Sequence, residues 1–219
     1  VDMLVRFEYA AGGWGYYDFN TATRNPGLMA TTFTTATVLA ALKFAADQGI
    51  SVPKRITTRG VAVIEMLRNP DGSFAYSWDH RYWPQGPINR IKGSLARTPA
   101  CYRALLDWGG KVSDAQVAAA FENLRKEGRF LAIARKYPRP HEAPYQNSGY
   151  FVFYGYYYAS QLFGHLTPEQ RKVCIQSFQK FTNMTLAERQ EFLQKAEAWQ
   201  RMTPAEREQW REVVAVVPQ

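Results

Sequence analysis

Chemistry-bearing side chains in this sequence are sparse, and their spacing is the first thing to weigh. Ser77-Trp-Asp-His-Arg-Tyr-Trp83 is the most loaded segment, with an acid, an imidazole and a guanidinium between Trp78 and Trp83. Such a loop can bind an anion or a sugar, with the indoles as stacking faces and Asp79 and His80 as polar contacts. The plainer alternative is an ordered loop whose tryptophans pack down while its charges face water. The acids Asp18, Asp71 and Asp79 are isolated from one another in sequence. Paired-carboxylate chemistry would need the fold to bring two of them together across a groove. Cys101 and Cys174 form no C-x-x-C, lie on apolar faces and read as buried thiols. His141, between Pro140 and Glu142, reads as a surface residue of a proline-rich connection.

A second candidate is aromatic. In Tyr150-Phe-Val-Phe-Tyr-Gly-Tyr-Tyr-Tyr158, helical spacing puts Tyr150, Tyr154 and Tyr157 on one face and Phe151, Gly155 and Tyr158 on another. One face can line an aromatic cavity suited to an isoprenoid chain, because such rings stabilise cations. A plain core with hydroxyls reaching buried carbonyls explains the same pattern. The sequence holds no Gly-rich phosphate loop, nucleophile elbow or H-E-x-x-H, so it implies no cofactor and no metal.

The elements that must position these residues read as helices. A chain of 219 residues with 46% hydrophobic content can bury a core, and its 15% aromatics exclude a disordered class. The net charge of +8 lies almost wholly in the first 165 residues. Its cations, such as Arg125, Lys126, Arg129, Arg135, Lys136 and Arg139, are scattered, which favours a solvated basic surface over a nucleic-acid site. The run Tyr150 to Phe163 is too short and too rich in tyrosine to span a bilayer. No signal segment is visible, and the opening Val-Asp-Met falls in mid-pattern, as in an excised piece. No compartment follows from that.

Helices are expected from Leu28 to Ala46, ending at Gly49, and from Ser51-Val-Pro53 to Asn69-Pro70. Thr98, as an N-cap before Pro99, opens a third that ends at Gly109-Gly110. The capping box Ser113-Asp-Ala-Gln116 opens a fourth, with Gly128 closing it, and Tyr150 to Phe163 forms a buried fifth. Thr35, Ala41 and Leu42 recur as Thr98, Ala104 and Leu105, while Gly12-Gly-Trp14 and Asp71-Gly-Ser-Phe74 stand sixty positions apart. The unit is about sixty residues, two helices with a glycine-aromatic corner.

Arg59-Gly60, the apolar run to Leu67, and Asn69-Pro-Asp-Gly-Ser-Phe74 resemble the QW-type repeat of terpenoid cyclases and protein prenyltransferases, with Ala11-Gly-Gly-Trp14 as a second copy. The resemblance spans roughly residues 5 to 165 and implies a partial α/α toroid of helical-hairpin repeats. The motif's glutamine is missing before Trp14, and Asn69 replaces it in the second copy. The D-x-D-D acid of squalene-type cyclases is also missing. The zinc-dependent prenyltransferases use Asp, Cys and His, which Asp79, Cys101, His80 and His141 supply by type but not by spacing.

From Leu166 the pattern changes. Leu166-Thr-Pro-Glu-Gln-Arg171, Met184-Thr-Leu-Ala-Glu-Arg189 and Met202-Thr-Pro-Ala-Glu-Arg207 follow one another at a spacing of 18. Each threonine can cap a helix, with Gln170, Glu188 or Glu206 closing the box. Cys174, Phe178, Phe181, then Phe192, Ala196, Trp199, then Trp210, Val214, Val217 form the apolar stripes. This part resembles a bacterial domain family of unknown function built from repeated L-T-P-E-Q-R helices. The expected whole is all-α, with the toroid fragment over 1–165 and three short amphipathic helices over 166–219. The function expected first is a non-catalytic binding or scaffold protein, with a protein partner, an apolar or isoprenoid ligand, or a second copy on its exposed apolar faces. The alternatives are a terpenoid or prenyl-transfer enzyme using the tyrosine helix, and a carbohydrate-active toroid using Asp18 and Asp79.

Overall fold

A computed structural model describes residues 1–18, 23–134, 145–203, 205–207 and 209. His141, Arg135, Lys136, Arg139, Pro204, Trp210, Val214 and Val217 lie outside the described residues, and the side chains of Asp18, Arg129, Phe178, Phe181, Phe192, Ala196 and Trp199 are likewise not described.

The protein is mostly helical, as expected, with one small two-stranded sheet that the sequence did not announce. A short α1 (Asp2–Arg6) leads into the hairpin β1 (Gly15–Asp18) and β2 (Thr23–Ala30). The strands pair antiparallel with Gly15 opposite Ala30 and Tyr17 opposite Pro26, and the register shifts between them. Leu28 and Met29 are therefore strand. α2 (Thr32–Asp47) begins four residues later than its apolar pattern suggested, because Leu28–Ala30 belong to β2 and the β-branched Thr31 bridges to Ser77. α3 (Lys54–Met66) follows Pro53 and buries Ile56, Gly60, Val63 and Ile64, a stripe at helical period.

α4 (Ile91–Ser94) and α5 (Thr98–Asp107) are joined by a single tight turn. Thr98 is not the N-cap. Its Oγ1 donates back to the Ser94 carbonyl at 2.9 Å, and Arg97 takes the cap position without a side-chain bond to the helix's first N–H groups. α6 (Asp114–Ala134) starts in the expected box, with the Ser113 N–H donating to Gln116 Oε1 at 2.9 Å. It runs straight through Gly128, because a lone glycine costs about 1 kcal/mol in a helix but stops one only where the chain turns left-handed. α7 (Val152–Gln161) lies against α5.

The sixty-residue period is geometric. Tyr9 N–H donates to Gly13 O at 2.9 Å and Asn69 N–H to Ser73 O at 2.8 Å, the same turn sixty positions on. Gly12 and Gly72 have φ of +94° and +82° within those turns. The next residue but one follows the same rule. Trp14 N–H donates to Thr35 Oγ1 at 3.0 Å, and Phe74 N–H to Ser94 Oγ at 2.9 Å. The partner of Thr35 is thus Ser94 rather than Thr98. α2 and α5 also end alike: Ile50 N–H donates to Ala45 O at 3.0 Å and Gly110 N–H to Leu105 O at 2.7 Å, across Gly49 (φ +79°) and Gly109 (φ +78°). One core collects Trp14, Leu39, Leu42, Ile64, Phe74, Tyr102 and Leu105 from both copies.

α8 (Pro168–Thr182) and α9 (Leu186–Arg201) pack on α6. All three tail boxes form: Thr167 with Gln170, Thr185 with Glu188, and Thr203 with Glu206 exchange backbone-to-side-chain bonds of 2.6 to 3.3 Å. Among the described residues no helix is long and apolar enough to cross a membrane.

Gly49 and Gly109 meet no atom where a Cβ would sit, so only their positive φ resists a side chain. Gly49→Ala and Gly109→Ala should each lower stability by about 1–2 kcal/mol, and by similar amounts. Gly164→Ala, also in open space and without a positive φ, should stay within about 0.5 kcal/mol. Urea denaturation of the three variants checks this. An Ala at Gly49 or Gly109 as harmless as that at Gly164 would remove the left-handed caps from the account.

Candidate functional site

The corner after Phe74 is where side chains of different elements converge. Thr32 N–H and Oγ1 both bond into the 75–76 backbone, and Trp78 N–H donates to Ala30 O at 3.0 Å, so this stretch runs beside the end of β2. The chain then makes a 3₁₀ turn, Asp79–Tyr82, and a second, Pro87–Asn89, before α4.

Asn89 closes the loop between them. It is fully buried, and its side-chain amide is spent on three backbone groups: Oδ1 accepts from Tyr76 N–H at 2.8 Å, while Nδ2 donates to His80 O at 2.9 Å and Trp83 O at 2.8 Å. Buried amides used so fully fix local backbone, because releasing any one bond strands a buried polar group. Trp83 lies against Gly86, where a Cβ would come within 2.5 Å of the indole, and Gly86 N–H donates to Trp83 O at 3.0 Å. Yet Trp83 remains 57% exposed and Tyr82 74%. Arg81 stacks between two rings, its Cζ 3.8 Å from the Trp78 centroid and 4.6 Å from that of Tyr82, and bonds to Met66 Sδ and the Tyr82 hydroxyl. Trp78 is partly covered; Trp83 is not packed down.

Beneath the loop sits Arg97, only 2% exposed. Its guanidinium donates to Gly93 O at 2.7 Å, Phe74 O at 2.8 Å, Ile88 O and Asn147 Oδ1 at 3.0 Å, and lies 5.6 Å from the Tyr76 ring centroid. Burial pushes it down to about 10, so it is still protonated at neutral pH. Burial also pushes the Cys101 thiol, one helical turn on, up to about 12. Cys101 is a protonated core thiol whose Sγ lies 4.0 Å from Thr32 O.

An aromatic chain leads away from this loop. Tyr76 packs edge-on to His80 at 5.3 Å and beside Phe33 at 5.8 Å. Phe33 meets Phe151 at 4.8 Å, and Phe151 meets Tyr154 at 5.9 Å. The two copies touch through tyrosine: Tyr16 and Tyr76, sixty positions apart, share a hydroxyl contact of 2.6 Å. Burial and that bond hold the Tyr76 phenol well above its usual range.

The α7 tyrosines separate. Tyr154 points at α2, donating to Phe33 O at 3.1 Å and lying 3.0 Å from Thr37 Oγ1. Tyr150 precedes the first turn of α7 and is 62% exposed, and Tyr157 is 63% exposed. With Tyr154 inward, the residue one full turn later that follows it is Tyr158, and Tyr157 falls about 60° away. Asp79 is exposed in the 3₁₀ turn beside His80, and Asp71 caps its own turn, accepting from Ser73 N–H at 2.9 Å. Among the described residues, no group of three or more His, Cys, Asp or Glu could hold a metal ion. A groove of about 450 Å³ between α6 and α8, lined by Phe121, Arg125, Val173 and Cys174, and a cleft of about 120 Å³ at Asp71, Tyr102 and Asn123, touch none of the ligand-binding candidates.

Asn89, Arg97 and Phe33 were not foreseen. The Tyr16–Tyr76 pair was available in the repeat, two residues beyond each corner aromatic.

Comparison with known proteins narrows the family question. A family described as a protein of unknown function (DUF3106) matches residues 158–219, from within α7 through the capped tail helices. No terpenoid cyclase or prenyltransferase family is detected, which overturns the resemblance read from the 5–165 stretch. The residues that suggested it have a local reason to be there: positive-φ glycines and an Asp-capped turn bring Trp14 and Phe74 onto the core. No curated protein matches the chain, and no solved structure does.

Two outcomes follow. Arg97→Met strands four buried acceptors and should cost about 2–4 kcal/mol, with Arg97→Lys recovering little, since one ammonium cannot span the fork. A urea midpoint within about 0.5 kcal/mol of wild type would show the network contributes nothing. His80 is held below its ordinary 6.5, first by burial and then by the Arg97 charge. The folded state therefore binds that proton more weakly than the unfolded chain. Stability is full above about pH 6.5 and falls as pH drops below it. The fall should flatten in His80→Asn.

Proposed function

We propose that this chain is a non-catalytic binding or scaffold protein, and that the Trp78–Trp83 loop is its anchor for a protein partner. The observation that carries this is Trp83, a large aromatic held rigid by Asn89 and Gly86 yet more than half exposed. Rigid, exposed Trp, Tyr and Arg are the side chains that dominate binding energy at protein interfaces, because little conformational entropy is lost when they are covered. Tyr82 and the ring-stacked Arg81 stand beside it. Tyr157 on α7 and Tyr150 just before it add aromatic surface. The tail, with its self-capped helices, supplies a second and differently built surface.

The test is quantitative crosslinking in cells with a photoreactive residue at Gln85. A discrete adduct of defined mass is expected, reduced tenfold or more by Trp83→Ala and unchanged by Phe44→Ala, a comparably exposed apolar residue on α2. An adduct equally affected by both substitutions, or insensitive to Trp83→Ala, would overturn the loop as the anchor.

A further inference from the structure

The charge of the same loop says what kind of partner segment it takes, and this inference rests on the binding reading above. The bond from Asn89 Nδ2 to His80 O, at 2.9 Å, ties together the two residues that adjoin Arg81 and Arg90. Both arginines therefore leave the backbone beside one knot, with the Trp83 carbonyl bonded to the same amide at 2.8 Å. Neither has a carboxylate partner among the described residues. Arg81 is held by the Trp78 and Tyr82 rings and by Met66, and Arg90 is exposed with no ion pair. The one acid of the turn, Asp79, is exposed and pairs with neither. By contrast, Arg55 and Arg59 pair with Glu8, Arg103 with Asp107, and Arg125 with Glu122. The sequence as a whole carries +8.

We infer that the Trp78–Arg90 loop docks an acidic protein segment, with Arg81 and Arg90 receiving carboxylates and the open face of Trp83 receiving an apolar side chain between them. A guanidinium already stacked on rings keeps its N–H fork in place, so less freedom is lost when a carboxylate binds bidentately. Charge pairing of this kind sets specificity and association rate, while the aromatic sets residence time.

The test is fluorescence anisotropy of the full chain with a labelled peptide alternating Glu and Leu, against one alternating Lys and Leu. The acidic peptide should bind at least tenfold more tightly, and more weakly as salt rises. Arg81→Gln and Arg90→Gln should each weaken it about three- to tenfold and flatten the salt dependence. Trp83→Ala should weaken it about tenfold or more with the salt dependence kept. Lys54→Gln, at the start of α3, should change nothing. Equal binding of both peptides, or arginine variants that behave like Lys54→Gln, would overturn the proposal. So would anionic vesicles or RNA binding through the same arginines while the peptide does not. If the acidic peptide fails while the Trp83-dependent crosslink persists, the charge assignment is wrong and the binding reading stands. If the crosslink fails too, both fall.

Discussion

Arg97 is a full positive charge placed where water does not reach, and among the described residues no carboxylate answers it. An ion so placed is tolerable only if dipoles solvate it from several sides. Here they are the carbonyls of Phe74, Ile88 and Gly93 and the amide oxygen of Asn147, drawn from four stretches of chain. Each of those stretches is thereby placed: the glycine-aromatic corner, the loop closure, the short α4, and the turn before α7. Helix packing alone would leave the corner and the loop free to slide. The guanidinium sets their separation.

The second organising fact is the sixty-residue duplication. Both corners use a left-handed glycine, a backbone turn and a hydroxyl on the following helix to receive the aromatic residue's N–H. The copies differ where the protein gains its surface. After Trp14 the chain forms a hairpin; after Phe74 it forms the loop that exposes Trp83. Tyr16 and Tyr76 meet across the seam, so the two corners hold each other while their extensions diverge.

Helix positions were legible because period, proline and glycine act locally. α3 and α6 begin, and α2 and α5 end, within a few residues of where capping chemistry places them. The tail boxes were legible for the same reason, since Thr and Gln or Glu three positions apart satisfy each other without help from the rest of the fold. The β1–β2 hairpin was not, because its segment lacks alternation and its register is irregular. Nor was the family, because a Gly-aromatic corner is a solution to turning a helix pair, open to unrelated chains. At the site, the loop's residue types were visible but their exposure was not. Whether Trp83 packs down depends on Asn89 and Gly86, and Arg97 has no sequence partner to betray it. Helical spacing puts Tyr150, Tyr154 and Tyr157 on one face, whereas α7 begins only at Val152, and Tyr154 turns inward to Phe33 while Tyr157 stays exposed.

α6 also sets how the molecule would carry load. The tail helices rest on its flank, and α6 itself leans on α5 and α7. The His165–Asp114 contact, 3.0 Å long, pins the tail's root to the first turn of α6. A pull on the tail therefore arrives at the N-terminal end of the 21-residue α6, beside Leu166, which is itself part of the core. The loop at Trp83 stands on Asn89 and Arg97 instead, off that line. The root of the tail and the Trp83 loop are thus secured by separate sets of contacts.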